Sequence, residues 1–189
     1  MSIQHPLLKR TVAAIAVTVM FSLPVLAQSA DETDESVLLD QLSGSNATEA
    51  PKLDRLLQAL WAKSGSSAMD LLLKRGRDAM KVGNTQAAIE HLTALTDHAP
   101  DFAEGWHARA SAFFEADLFG PAVADLERAL ALNPNNYNAI FGLGTILEGF
   151  GDKKRAYDAY SRALSIHPHH ADIRKAKERL QPDVDGIAL

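Results

Sequence analysis

Apolar residues recur at three- and four-residue spacing over most of the chain from residue 51 onward, which is the pattern of amphipathic α-helices. The first run consists of Leu53, Leu56, Leu57, Leu60 and Trp61. Pro51 precedes this run and Gly65 breaks it, so residues 51–68 are predicted to form an N-terminal helix and a turn. We expect this helix to dock ahead of the helices that follow it.

Three pairs of helices and one final helix are predicted after this turn. The paired helices are predicted at Asp70–Lys81 with Gln86–Asp97, Glu104–Ala116 with Pro121–Leu132, and Asn138–Phe150 with Lys153–Ile166. Capping boxes are predicted at Ser67 with Asp70 and at Asp101 with Glu104. The final helix, Ala171–Leu180, has an apolar face, and the whole pattern indicates an all-α protein.

The helix pairs lie in three stretches of equal length. Pro100, Pro134 and Pro168 are 34 residues apart and close the stretches 69–102, 103–136 and 137–170. Small residues share the eighth and twentieth positions of the aligned stretches: Gly76, Ala110 and Gly144, then Ala88, Ala122 and Ala156. A large apolar residue takes the twenty-fourth position: Leu92, Leu126 and Tyr160. Such a fixed period predicts an array of three repeats.

This combination of period, small residues, large residue and proline resembles the tetratricopeptide repeat (TPR). Repeat one departs from the family pattern at Arg75, where Leu is usual, and at Leu95, where Ala is usual. The resemblance implies a right-handed α-solenoid of three helix-turn-helix repeats, with the extra N-terminal helix and a capping helix at 171–181. Residues 61–73 and 93–100 also resemble small periplasmic TPR proteins of alphaproteobacteria. The tail 182–189 is expected to fray.

The first 27 residues have the pattern of an export signal. Lys9 and Arg10 precede an uncharged run from Thr11 to Ala27, which ends in small residues suited to signal peptidase. No twin-arginine pair is present, so we expect export by the general secretory route into a bacterial periplasm. The alternative is an uncleaved anchor, because such a run just reaches the length that crosses a bilayer.

Charge is unevenly distributed along the chain. The formal net charge is −5. Residues 28–50 hold Asp31, Glu32, Asp34, Glu35, Asp40 and Glu49 and no basic residue, and we expect this segment to be a flexible acidic lead. The rest of the chain is nearly neutral, so a nucleic-acid-binding face is not indicated. The chain has no cysteine, which excludes disulfides, thiol catalysis and cysteine-ligated metals.

Catalytic motifs are absent from the sequence. It has no His-Glu-x-x-His pattern, no G-x-S-x-G elbow and no phosphate-binding loop. His167, His169 and His170 surround Pro168, but they lack further ligands at metal-binding spacing. We therefore expect a solvated turn there, no metal, no cofactor and no enzymatic activity.

The TPR resemblance implies that the first helices line a concave groove. The candidate binding residues at its groove-facing positions are Leu73, Arg77, Met80, Lys81, His107, Phe114, Phe141 and Glu148. The apolar members would form a stripe across three repeats, and such stripes usually mark contacts. The alternative is that the N-terminal helix, the capping helix or a second copy covers the stripe.

Some TPR proteins bind acidic C-termini through a carboxylate clamp of Lys, Asn and Arg side chains. The clamp positions of this chain hold Leu73, Arg77, Ala108, Asn138 and Gly142, so a chaperone-tail ligand is not indicated. The favoured function is a non-enzymatic scaffold or adaptor that binds a protein or peptide, without a stable membrane span after signal cleavage. A self-associating structural protein is the main alternative, and a His-dependent hydrolase is the other.

Overall fold

The computed structural model of the protein describes residues 29–186. The predicted signal peptide, residues 1–27, lies outside this range. Within it the chain forms nine α-helices and no strand: α1 (Ser29–Gly44), α2 (Ala50–Trp61), α3 (Ser67–Lys81), α4 (Thr85–His98), α5 (Ala103–Glu115), α6 (Phe119–Leu132), α7 (Tyr137–Gly149), α8 (Lys153–Ile166) and α9 (Ala171–Asp185). The paired helices of the repeats match their predicted bounds to within three residues.

Helices α3 to α9 stack in chain order as a solenoid. Each pair packs closely, as α3 on α4, α5 on α6 and α7 on α8, and each second helix packs on the next first helix. The predicted all-α solenoid of three repeats with a capping helix is thereby confirmed. A repeat of this kind buries its apolar face only against its neighbours, so stability depends on the stacking.

The small residues at position eight allow the two helices of a repeat to touch. A Cβ atom added to Gly144 would lie 2.6 Å from Cε1 of Tyr160, and one added to Gly76 would clash with Leu92. These partners are the large residues at position twenty-four. The small residue at position eight and the large residue at position twenty-four therefore form the packing contact between the two helices of a repeat.

Larger side chains at the small positions test whether the right residues were assigned to the contact between the two helices of a repeat, that is, the repeat register. Ala122 and Ala156 are fully buried, so Ala122→Leu or Ala156→Leu should lower the free energy of unfolding by about 1–3 kcal/mol. Ala124 is exposed on the same helix as Ala122, and Ala124→Leu is the matched control, with an expected change within about 0.5 kcal/mol. Urea denaturation gives the free energy of unfolding of all three variants. Equal effects of Ala122→Leu and Ala124→Leu would show that the register is wrong.

The N-terminal part of the chain differs from the prediction. Residues 28–50 were expected to be flexible, but α1 and the start of α2 occupy most of this segment. Leu42, Ala50 and Leu57 are fully buried in one cluster with Tyr137 and Ile173. The apolar residues of this segment thus have a surface to bury against, which offsets the entropy lost on ordering it.

The position of α2 is a second difference. It was expected to extend the solenoid ahead of repeat one. Instead α1 and α2, here called the N-terminal hairpin (residues 29–61), pack mainly on repeat three and the capping helix. Ala62, directly after the hairpin, packs on the cluster of repeat one that contains Leu73.

Both predicted capping boxes are wrong. Helix α3 begins at Ser67 rather than after it, and the Asp70 carboxylate accepts hydrogen bonds from the backbone and hydroxyl of Ser64, at 2.8 and 2.6 Å. Asp101 instead forms an exposed ion pair with Arg128. Glu104 turns inward and is buried.

The C-terminal helix extends further than expected. It continues through Pro182 to Asp185, where the sequence predicted a frayed tail. An ion pair of 2.9 Å between Lys153 and Asp183 joins this last turn to α8. Among residues 29–186, none of the helices has the length and apolar character needed to cross a membrane.

Candidate functional site

An open groove lies on the concave side between α5 and α7. Its volume is about 340 Å³. Apolar residues of its lining are Ala110, Phe114, Leu126, Phe141, Gly142 and Ile146, and polar ones are His107, Ser111, Glu115, Asn138 and Thr145. Phe114 has 39% of its surface exposed, and Phe141 is half-buried. An apolar floor with a polar rim of this size can hold one or two side chains of a bound segment.

Three of the predicted groove residues, His107, Phe114 and Phe141, line this groove. Leu73 does not, because it is only 2% exposed and belongs to the core between repeats one and two. Met80 packs against the same core and is half-buried. The groove between α5 and α7 therefore involves repeats two and three, whereas Leu73, Arg77 and Lys81 of repeat one line a separate cavity.

Arg77 and His107 belong to an ion network centred on Glu104. Arg77 donates a hydrogen bond to the Glu104 carboxylate, and His107 Nδ1 donates to it at 3.1 Å. Asn136 Nδ2 donates to the same carboxylate at 3.3 Å. Burial alone would raise the pKa of Glu104, but the charges and hydrogen bonds of His107 and Arg77 outweigh it and hold the pKa below its usual value.

This network joins repeat one, through Arg77, to repeat two, which holds Glu104, His107 and Asn136. Asn136 also caps α7, the first helix of repeat three. The sequence places Glu104 at a groove-facing position of repeat two, while its spacing from Asp101 also fits a helix cap. Its groove-facing position in the repeat was the signal that could have identified it. Their hydrogen bonds to Glu104 make Arg77 and His107 structural anchors beside the groove.

The remaining two charged candidates, Lys81 and Glu148, also form ion pairs with neighbouring side chains. Lys81 is exposed at the end of α3 and pairs with Asp78 at 3.0 Å. Glu148 accepts two hydrogen bonds of 2.8 Å from Arg179 of α9 and one of 2.7 Å from the Tyr160 hydroxyl. The hydrogen bond from Arg179 holds the pKa of Glu148 below its usual range. Glu148 therefore fastens the capping helix to repeat three.

The N-terminal hairpin packs on the start of α7. The Trp61 ring lies 5.4 Å from that of Tyr137, and the Tyr137 hydroxyl donates a hydrogen bond to Asp54. Trp61 Nε1 donates to Glu35 at 2.7 Å, which ties α2 to α1. Phe141 packs against the same apolar cluster as the hairpin. The hairpin thus packs beside α7, and none of its residues lines the groove between α5 and α7.

The turn at residues 167–170, here called the histidine turn, was expected to be solvated. It is instead part of the contact between the N-terminal hairpin and repeat three. His167 is buried 5.1 Å from the Tyr137 ring, and His169 Nε2 donates to the Ser45 carbonyl at 2.9 Å. His170 caps α9 by accepting from the Ile173 amide. In the described range no three potential ligands are grouped as a metal site would require.

Burial makes this turn sensitive to pH. It lowers the pKa of His167 and of His170, with neighbouring histidines adding to the shift at His167, while Asp54 opposes it at both and Asp172 at His170. His167 Nδ1 is buried without a hydrogen-bond partner among the described residues, so a proton there would be poorly solvated. Both rings are therefore held in the neutral form that packs against Tyr137.

We expect the hairpin to loosen on acidification. The histidine pKa is lower in the docked state than its ordinary value of 6.5, so the docked state has its full stability above pH 6.5. It loses stability as pH falls through the lowered pKa, because the histidine is then protonated. In a Trp106→Phe variant, the emission of Trp61 should shift to longer wavelength as pH falls from about 7.5 to 5.

The control for this titration replaces the two histidines. His167→Phe keeps a buried ring beside Tyr137, and His170→Asn keeps a helix-capping side chain. The shift should disappear in this double variant. An unchanged titration would assign the pH response to other groups.

The groove residues do not form a catalytic set. Ser111 follows His107 by one helical turn, but its hydroxyl donates to the His107 backbone carbonyl at 3.1 Å rather than to the imidazole. A His-dependent hydrolase needs the serine hydroxyl hydrogen-bonded to a histidine ring nitrogen. The hydrolase alternative therefore gains no support from this geometry.

Comparisons with known proteins agree with the repeat architecture. Two family models, both described as tetratricopeptide repeat, match residues 73–120 and 113–180. The chain is 28% identical to a TPR repeat-containing protein of Rhizobium etli, with 84% of this chain and 85% of that protein covered.

Solved TPR domains share the fold. The OM64 TPR domain of Arabidopsis matches with a TM-score of 0.60 and 25% identity, covering 61% of this chain and 96% of that one. The first TPR domain of Spaghetti (RPAP3), solved with an HSP90 peptide, has a TM-score of 0.61 and 24% identity over 64% of this chain and 95% of that one. With its 34-residue period, its packed small and large positions and both family matches, this chain belongs to the tetratricopeptide repeat family.

Proposed function

We propose that this protein is a non-enzymatic scaffold that binds a protein or peptide segment in the groove between α5 and α7, in the bacterial periplasm. The observation that carries this proposal is the open apolar groove around Phe114 and Phe141. It lies on the concave side, where a repeat array presents its largest continuous surface to a ligand.

The chemistry of the groove suggests what the segment contains. Phe114 and Phe141 offer apolar contact to one aliphatic or aromatic side chain, which would act as the anchor. Glu115 on the rim forms no ion pair within the part of the chain that the structure describes, and Asn138 and Thr145 supply hydrogen-bonding groups. The favoured ligand is a segment with an apolar anchor next to a lysine or arginine.

An acidic chaperone tail fits this groove poorly. The neighbouring Spaghetti domain binds such a peptide, SRMEEVD. In this chain Leu73 and Gly142 take positions where a clamp would have basic or amide side chains, and Leu73 is also buried. Carboxylate recognition needs those donors, so the partner belongs to a different peptide class.

The periplasmic assignment rests on the signal-like residues 1–27 and on the absence of any need for disulfides. Similarity to the Rhizobium etli protein extends over most of both chains and supports a bacterial family. Fractionation of cells that express the full chain should give a shortened protein in the periplasmic fraction. Retention of the full-length protein in the inner membrane would favour the anchor alternative.

A peptide-array experiment tests the binding function. The purified protein should select segments with an apolar residue next to Lys or Arg, and Phe114→Glu should weaken their binding at least about tenfold. Leu71 is similarly exposed on α3 outside the groove, so Leu71→Glu is the matched control and should bind normally. Equal binding by both variants, or selection of EEVD-type peptides, would contradict the proposal.

A further inference from the structure

A second apolar surface lies on the edge of the solenoid where the turns between paired helices emerge. It consists of Phe114, Leu118, Phe119 and Phe150, here called the aromatic edge. Phe150 is 70% exposed and Leu118 46%. The Phe119 ring stands edge-to-face to Phe114 at 5.6 Å and to Phe150 at 5.7 Å, so the rings of repeats two and three form one continuous patch. Exposed apolar clusters of this kind mark interaction sites.

The turn of repeat two, next to this patch, differs from the turns of repeats one and three in its residues at the positive-φ and helix-cap positions. The turns of repeats one and three place Gly83 and Gly151 at positive φ, and each is followed by an Asn or Asp that caps the next helix. Repeat two has Asp117 at φ 57° and then Leu118, which makes no capping hydrogen bond. A non-glycine residue at positive φ and an apolar residue at a cap both disfavour folding. Such local conflicts are expected at functional positions.

Charges of opposite sign flank the aromatic edge. Glu115 and Asp117 lie beside it in repeat two, exposed and without an ion pair among residues 29–186. Lys153 and Lys154 begin α8, three and four residues after Phe150, and both are exposed. Their ion pairs with Asp183 and Asp158 lie at the surface and contribute little free energy, so both lysines can change partner to a carboxylate of another copy.

We propose that the aromatic edge is the contact between two copies of this chain. A two-fold axis near Phe119 would place Phe150 of one copy against Phe114 and Leu118 of the other. The same axis brings Glu115 and Asp117 of each copy towards Lys153 and Lys154 of the other. A surface that carries both signs around an apolar centre is complementary to itself, as a two-fold interface requires. Nucleic acid and anionic membranes fit it less well, because the acidic pair would repel them.

The aromatic edge shares Phe114 with the groove, so the test uses Phe150, which lies outside the groove lining. Sedimentation equilibrium of the full chain after export should show a monomer–dimer equilibrium. Phe150→Glu should raise the dimer dissociation constant at least about tenfold, because it buries a charge against the partner's rings. Leu71→Glu, exposed elsewhere, should leave the constant unchanged. Circular dichroism checks that every variant is folded.

Charge reversal tests the two-fold geometry itself. The variant Glu115→Lys with Asp117→Lys should dimerise more weakly, and adding Lys153→Glu with Lys154→Glu should restore dimerisation by at least about threefold. Restoration together with the Phe150→Glu effect would support the proposal. A wild-type protein that stays monomeric to roughly 1 mM would overturn it, as would a dimer insensitive to Phe150→Glu or a reversal without rescue.

Discussion

Replacing Tyr137 by alanine is expected to lower the free energy of unfolding by about 3–5 kcal/mol, the range for a buried aromatic residue. Tyr137 is fully buried where α7, α2 and the histidine turn meet. Its ring contacts those of Trp61, His167 and His170, and its hydroxyl donates to Asp54. Burial and the neighbouring carboxylate raise the pKa of Tyr137, so the hydroxyl stays protonated and keeps this hydrogen bond at any physiological pH.

Two companion variants separate the ring from the hydroxyl. Tyr137→Phe keeps the ring contacts and should lose only about 0.5–1.5 kcal/mol with the hydrogen bond. Leu71→Ala, at an exposed site, should change stability by no more than about 0.5 kcal/mol. Urea denaturation followed by circular dichroism gives the three values. If Tyr137→Ala costs no more than Tyr137→Phe, the N-terminal hairpin is not anchored on this ring.

Removal of the Asp125 carboxylate is the second large effect. Arg109 donates to Asp125 from Nε at 2.7 Å and from Nη2 at 2.8 Å, and its third nitrogen donates to Thr96 at 2.7 Å. The guanidinium lies 4.8 Å from the Trp106 ring centre and is mostly buried. Asp125→Ala would leave this charge buried and unpaired, so we expect a loss of about 3–5 kcal/mol.

The exposed pair between Arg128 and Asp101 provides the contrast. Asp101 is 88% exposed, so Asp101→Ala should cost less than about 1 kcal/mol. A double variant with Arg109→Met and Asp125→Leu removes both buried charges and should recover most of the stability lost in Asp125→Ala. Equal losses for Asp125→Ala and Asp101→Ala would mean that the buried pair is solvated in solution.

The sequence predicts the solenoid well because the relevant contacts are local. Gly144 and Tyr160 lie sixteen residues apart and meet within one repeat, and the 34-residue period transfers that contact to the other repeats. Helix ends follow from prolines and turn glycines in the same way. The contacts that set the helix pairs could therefore be assigned from the sequence.

The N-terminal hairpin could not be placed in this way. Its contacts join residues far apart in sequence, such as Asp54 with Tyr137 and Ser45 with His169, and no period relates them. Leu73 was assigned to the groove because its repeat position faces inward, but Ala62 and the neighbouring repeat bury it. Glu104 was read as a cap because the local spacing fits one, while its actual partners come from three different segments.

Binding in the groove between α5 and α7 is tested most directly by photo-crosslinking in cells. A photoreactive residue is placed at Ser111, which lines the groove, or at Arg174, which is exposed on α9. We predict a crosslinked partner from position 111 that is absent from position 174 and is lost when Phe114→Glu is added. The same crosslinked species from both positions, or none from position 111, would contradict the assignment of this groove as the binding site.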